Sequence, residues 1–129
     1  DENNSVYSVQ DGVIFNKAKT KILHYPCGST RTSYQIPDTV TVIGLYTFSM
    51  VSNLKEVIIP LSVRSLERYV FNDTALDRII VRATTVPTAE SYTFAGFKAG
   101  QIVVPKGMLD AYKAAPYWSS QASKMVEED

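Results

Sequence analysis

Cys27 and His24 are the residues of this chain best suited to covalent chemistry, a thiolate nucleophile beside an imidazole base. Each is the only one of its kind among 129 residues. They stand three positions apart on a strand-like segment ending in Pro26-Cys27-Gly28-Ser29. Strand side chains alternate between faces with period two, so that spacing sends the two groups to opposite sides. Cys27 is more simply a small apolar residue. With one cysteine there is no intrachain disulfide and no thiolate metal cluster. Glu67, Asp73, Asp77 and Glu90 are the carboxylates to weigh for acid/base work or a calcium site. Each falls where a solvated loop accounts for it, and the chain has no D-x-D-x-D-G calcium loop. Phosphate-loop, nucleophile-elbow, zinc-protease and dinucleotide-binding patterns are also missing. The expectation is a protein without catalytic residues, metal or cofactor.

Charge narrows the partners. Thirteen basic residues balance thirteen acidic ones. No Lys/Arg cluster marks a nucleic-acid interface or attracts an anionic membrane. No stretch is long and apolar enough to span a bilayer, and no basic-then-apolar leader opens the chain. The polar start, Asp1-Glu2-Asn3-Asn4-Ser5, reads as a linker or a processed end. It fits the mature part of an exported protein and is equally compatible with a cytosolic one. The triplets Asn3-Asn4-Ser5 and Asn72-Asp73-Thr74 match a glycosylation acceptor, a pattern too common to decide anything without the source.

The elements that would position any site are set by an internal repeat. Ile36-Pro37-Asp38-Thr39-Val40-Thr41-Val42-Ile43 returns in chemical outline as Ile59-Pro60-Leu61-Ser62-Val63-Arg64-Ser65-Leu66, 23 residues later. Phe48, Phe71 and Phe94 keep the same spacing. Self-similarity at about 20 to 29 residues is the mark of a leucine-rich-repeat solenoid. Leu54-Lys55-Glu56-Val57-Ile58-Ile59 and Leu76-Asp77-Arg78-Ile79-Ile80-Val81 fit the L-x-x-L-x-L strand, with the interval slipping to 22 between them. Tyr34, Val57, Ile79 and Ile102 form one inward column. Ile36, Ile59, Val81 and Val104 form the next, two residues on and so on the same strand face. Val40 and Ile43, repeated as Val63 and Leu66, supply the return side. The three Phe rings form a ladder whose rungs are about 4.8 Å apart, the inter-strand distance.

The chain thus reads as one domain of 129 residues, a mainly β, right-handed solenoid of about three 23-residue coils. Residues 1–10 are a polar segment, and 11–33 an N-terminal hairpin and cap. The repeats occupy 34–105, with an irregular third coil at Ala83-Thr84-Thr85-Val86-Pro87. Residues 106–129 form a helical cap and tail: Met108, Ala111, Tyr112 and Ala115 make an apolar stripe ended by Pro116, with Tyr117 and Trp118 covering the last coil.

These segments resemble the BspA-type leucine-rich repeats of bacterial surface proteins. Residues 11 to 118 carry the resemblance. It rests on Asp11-Gly12-Val13-Ile14-Phe15-Asn16-Lys17 through Tyr25-Pro26, and on Ile36-Pro37-x-x-Val40-x-x-Ile43-Gly44-x-x-x-Phe48 and its second copy. The closing segment adds Val104-Pro105-Lys106-Gly107 and Ala111-Tyr112-Lys113-Ala114-Ala115-Pro116-Tyr117-Trp118. Departures from the family pattern are Glu67 for the glycine of the second copy, Thr47 and Val70 before the aromatic, and Val51 and Thr74 where a cysteine often follows. The resemblance implies an exported, cell-surface or extracellular module that binds or adheres, non-catalytically, to a protein ligand on a host or neighbouring cell. A structural spacer, or an accessory repeat module of a larger surface protein or enzyme, is the alternative.

For the contact surface, period-two geometry sends two columns outward from the long strands: Ser33, Glu56, Arg78 and Gln101, and beside them Gln35, Ile58, Ile80 and Val103. Aliphatic residues in line on an open sheet face mark a contact site. They also follow from the strand preference of β-branched residues, with a tail or neighbouring domain covering them. The candidate surface is Ile58, Ile80 and Val103, bordered by Glu56, Arg78 and Arg82.

Overall fold

The computed structural model describes residues 7–26, 28–72, 74, 76–95, 97 and 100–128. Its strands are β1 (Tyr7–Gln10), β2 (Val13–Asn16), β3 (Lys21–His24), β4 (Ser33–Gln35), β5 (Val42–Ile43), β6 (Glu56–Ile59), β7 (Ser65–Leu66), β8 (Arg78–Val81), β9 (Gln101–Val104) and β10 (Met125–Glu127). One short helix, α1 (Leu109–Ala114), and a 3₁₀ turn at Ser119–Lys124 lie between β9 and β10.

The repeat builds two ladders that share one core. In the first sheet the order is β1-β2-β3-β5-β7, and in the second β10-β9-β8-β6-β4. All pairings in the second sheet are parallel, with Tyr34 opposite Val57, Val57 opposite Ile79, and Ile79 opposite Ile102. That is the inward column expected from the sequence. The 22-residue interval does not disturb it, because the loop before Leu76 absorbs the missing residue while Val57 and Ile79 stay in register. Ile36, Ile59, Val81 and Val104 are likewise shut off from solvent. Across the core, Ile22, Ile43 and Leu66 line up through β3, β5 and β7. A single bridge from Ser65 to Thr88 carries that ladder into the irregular repeat, where no further strand forms among the described residues.

Within residues 11–33, β2 and β3 form an antiparallel hairpin, but it is the second half of a meander. Tyr7–Gln10, expected to be part of a polar segment, pairs antiparallel with β2. The link is the two-residue turn Asp11-Gly12, with φ of 55° and 84°. Asp-Gly with positive φ at both positions matches the twist of the flanking strands, hence its use in tight hairpins. In the second turn the Asn16 side chain accepts from the Thr20 and Lys21 N–H groups at 2.8 and 3.0 Å.

A third wall joins the repeats at their turns. The N–H groups of Phe48 and Met50 donate to the Val70 and Asn72 carbonyls of the next repeat, and Tyr69 and Phe71 to Tyr92 and Thr93, at 2.8 to 3.2 Å. Inside this wall Phe48, Phe71 and Phe94 stack almost parallel, with centroids 6.0 and 5.7 Å apart. The ladder ends on tilted rings, Tyr25 at one end and Trp118 at the other. The departures from the repeat pattern have local causes. A Cβ on Gly44 would lie 2.8 Å from the Ile22 carbonyl, because this repeat abuts β3. Glu67 takes the corresponding place in the next repeat, and its carboxylate accepts from the Leu45 N–H at 3.0 Å.

The C-terminal segment closes the other end. Tyr112 and Trp118 are entirely buried, their polar atoms donating to the Ala83 and Pro87 carbonyls. These bonds satisfy the backbone of the irregular repeat, which pairs with no strand there. Two details differ from expectation. Ala111 and Tyr117 are exposed: on a helix of 6 residues the buried face is that of Tyr112, and Tyr117 lies in the turn beyond it. And Met125–Glu127 is no loose tail: it adds to the edge of β9 in parallel, Val126 opposite Val103.

Candidate functional site

The outer face of the second sheet carries the column expected to be a contact patch. Gln35, Ile58, Ile80, Val103 and Val126 follow one another in register across five strands. Their direction is as expected, and Ile80 and Val103 lie outside the main core cluster. Their openness is not. Ile80 and Val103 are only 7% and 5% exposed, and Ile58 is half-buried. Neighbours close the gap: rungs on both sides, with Arg78 on β8 and Arg82 just past its end two positions either side of Ile80. Long basic side chains cover apolar surface with their methylene stems while keeping the charge in water. The heads are paired, Arg78 with Glu56 at 3.2 Å and Arg82 with Glu128 at 3.9 Å. The surface presented to solvent is therefore mostly polar and self-neutralised, with Val126 as its exposed apolar margin.

A stacked aromatic surface lies elsewhere. Tyr46, Tyr69 and Tyr92, again 23 residues apart, stack on the outside of the turn wall with centroids 5.1 and 5.4 Å apart and planes 4° from parallel. Tyr46 is 48% exposed and Tyr92 61%. Leu45 and Met50, close to Tyr46 in the chain, are exposed as well. All three tyrosines have positive φ, 61°, 58° and 66°. A non-glycine residue in that region costs about 1–3 kcal/mol, and persists where its surroundings enforce it. Here the enforcing elements are the repeat-to-repeat turn bonds and the ring stack. Sequence reasoning missed this ridge, although the 23-residue spacing of the three tyrosines was the available signal.

The chemically suggestive residues do not assemble. His24 is exposed at the end of β3, while Cys27 lies outside the described residues. Asp73, Asp129 and the triplet Asn3-Asn4-Ser5 also fall outside them. Glu67 is held by Lys21 at 3.1 Å. Among the described residues no three His, Cys, Asp or Glu side chains form a metal-holding group. Tyr34, partly buried, packs at the N-terminal end of the core. Burial beside Tyr25 and Phe48 pushes its pKa up to about 12, partly offset by the Arg31 guanidinium 5.5 Å from its ring.

Two parallel-strand ladders at a 23-residue period, closed by a meander and a helical segment, with aliphatic columns inside, define a leucine-rich-repeat scaffold, mainly strand with little helix. The chain belongs to the BspA-type leucine-rich-repeat family: the model of the BspA type leucine rich repeat region (6 copies) matches residues 20–117. Among solved structures, a leucine-rich repeat protein from Eubacterium ventriosum is 26% identical, with a TM-score of 0.55. The match covers 82% of this chain and 35% of that one. The pneumococcal vaccine antigen PcpA is 15% identical over 98% of this chain and 47% of its own, with a TM-score of 0.38. The chain thus spans less than half the length of either. No curated protein matches. Among the described residues no helix is long and apolar enough to cross a membrane.

Proposed function

We propose that this chain is a non-catalytic protein-binding or adhesion module of an exported bacterial cell-surface protein, its repeats forming about three coils of a right-handed solenoid. The observation that carries this reading is the exposed ridge of Tyr46, Tyr69 and Tyr92. A soluble protein gains little from large aromatic rings held in water on a costly backbone conformation, whereas tyrosine is enriched at protein interfaces. Rigid stacking prepays the side-chain entropy that binding would otherwise cost.

The test is a panel of purified cell-surface and extracellular-matrix proteins presented to the full chain and to a Tyr46→Asn/Tyr92→Asn variant. Asparagine tolerates positive φ, so the variant removes rings without adding strain. A partner retained by the wild type and lost by the variant supports the ridge. Binding lost instead in an Arg78→Ala/Arg82→Ala variant supports the second reading, that the polar sheet face of Glu56, Arg78 and Arg82, with Ile58, Ile80 and Val103 between them, makes the contact. The ion pairs of that face favour it as a register-setting surface. Binding to no member of the panel supports the spacer alternative.

A further inference from the structure

Beyond Tyr92 the tyrosine stack stops, although the fold continues. One face of the Tyr92 ring is taken by Tyr69. On the side away from Tyr69, between Tyr92 and the C-terminal segment, lies a cleft of about 230 Å³ lined also by Glu90, Tyr117, Ser120 and Gln121. Tyr117 is 50% exposed and has a φ of 66°, repeating the backbone conformation of the ridge. The cleft stands where a further rung of the stack would lie.

Its charge is as specific as its shape. Glu67 and Glu90 occupy the same place in consecutive repeats, each two residues before a ridge tyrosine. The Glu67 carboxylate is engaged by Lys21 and by the Leu45 N–H. That of Glu90 has no hydrogen bond or ion pair among the described residues, where only its backbone is engaged, the N–H donating to the Thr93 hydroxyl at 2.9 Å and the carbonyl accepting from the Thr93 N–H at 3.2 Å. Lys124, the cation beside Gln121, is committed to the Phe97 carbonyl at 3.0 Å and the Gln121 amide oxygen at 2.8 Å. The cleft therefore combines a free aromatic face with an unneutralised carboxylate. Its volume is below the roughly 300–1,000 Å³ of pockets that take whole small ligands, and suits one side chain.

We propose that this cleft receives an arginine side chain of the partner. A guanidinium is planar, stacks on aromatic faces as an added rung, and forks its N–H donors onto a carboxylate, here Glu90. An ammonium offers a strongly hydrated point charge with neither the plane nor the fork. The inference rests on the reading of the chain as a protein-binding module and names the chemistry of one contact in it.

The experiment titrates the full 129-residue chain with N-acetyl-arginine methylamide, following the Tyr92 and Tyr117 ring signals by NMR, with the lysine and citrulline analogues in parallel. Saturable shifts at both tyrosines are expected with the arginine probe, with affinity lower by about tenfold in Glu90→Gln, the loss of one charged pairing. Tyr92→Asn is expected to lose the shift at Tyr117 while keeping the fold. Equal response to lysine and arginine, response to citrulline, or indifference to Glu90→Gln overturns the proposal. If the arginine probe is silent while a ridge-dependent partner still binds, the arginine site is wrong and the binding module stands. If the probe binds and no partner depends on the ridge, the site is real and the wider reading falls.

Discussion

The indole N–H of Trp118 donates to the carbonyl of Pro87 at 2.7 Å, both residues buried, across 31 positions of sequence. This bond joins the closing segment to the repeat that has no strand of its own in the first sheet among the described residues. Trp118→Phe keeps most of the ring contact with Phe94 and Tyr112 and leaves the Pro87 oxygen without its donor. A loss of about 1–3 kcal/mol in a urea melt followed by circular dichroism is expected, the cost of a buried unpaired acceptor. No change would show that the segment is held by apolar packing alone.

Phe71 is the middle rung of the inner ladder and is wholly buried. Phe71→Ala should cost about 3–5 kcal/mol, as large-to-small core changes do. Because each repeat touches only its neighbours, hydrogen exchange should quicken first around Phe48 and Phe94. A melting temperature within a degree or two of wild type would remove the ladder from the account of stability.

Ile80→Lys discriminates between an open and a closed outer column. With Ile80 shut in by its neighbours, the substitution should lower stability by about 1.5–3 kcal/mol, the apolar burial forfeited. Thermal denaturation unchanged by the lysine would mean that the column is accessible after all.

Alkaline pH should weaken the fold at its two ends. Burial raises the Tyr34 pKa to about 12, and raises that of Tyr112 further, above the ordinary value of 10.0. The folded state thus holds these protons more tightly than the unfolded chain. Their contribution is complete below pH 10 and is lost as pH rises through the folded-state values, for Tyr34 between about 10 and 12. Denaturation midpoints should fall over that window, less steeply in Tyr34→Phe. A flat profile would contradict the burial of both hydroxyls.

Removing residues 125–129 should expose the edge of β9. The expected result is association on size-exclusion chromatography, since an open parallel edge is a template for further pairing. A monomeric, stable truncation would show β10 to be dispensable.

The inward columns, the phenylalanine ladder and the family were legible in the chain because they depend on spacing alone. A residue two positions from its neighbour shares its strand face, and one 23 positions on shares its rung, whatever surrounds them. The turn Asp11-Gly12 and the strand β1 before it were not read from the sequence, since a four-residue strand in a polar setting leaves little trace. The pairing of β10 was not legible. Met125–Glu127 is too short to show a period, and its place beside β9 depends on the path of the helix and turn between them.

What the sequence by itself determined, then, is which residues repeat and which of them face the core, both consequences of backbone geometry acting over a few residues. Only the tertiary structure decided which outward positions are open. Ile80 and Tyr92 both point away from the core. Ile80 is enclosed because it stands mid-sheet, with Ile58 and Val103 on adjacent strands and Arg78 and Arg82 along its own. Tyr92 stands at the end of a stack where no ring follows, so one face of it remains in water beside the unpaired carboxylate of Glu90.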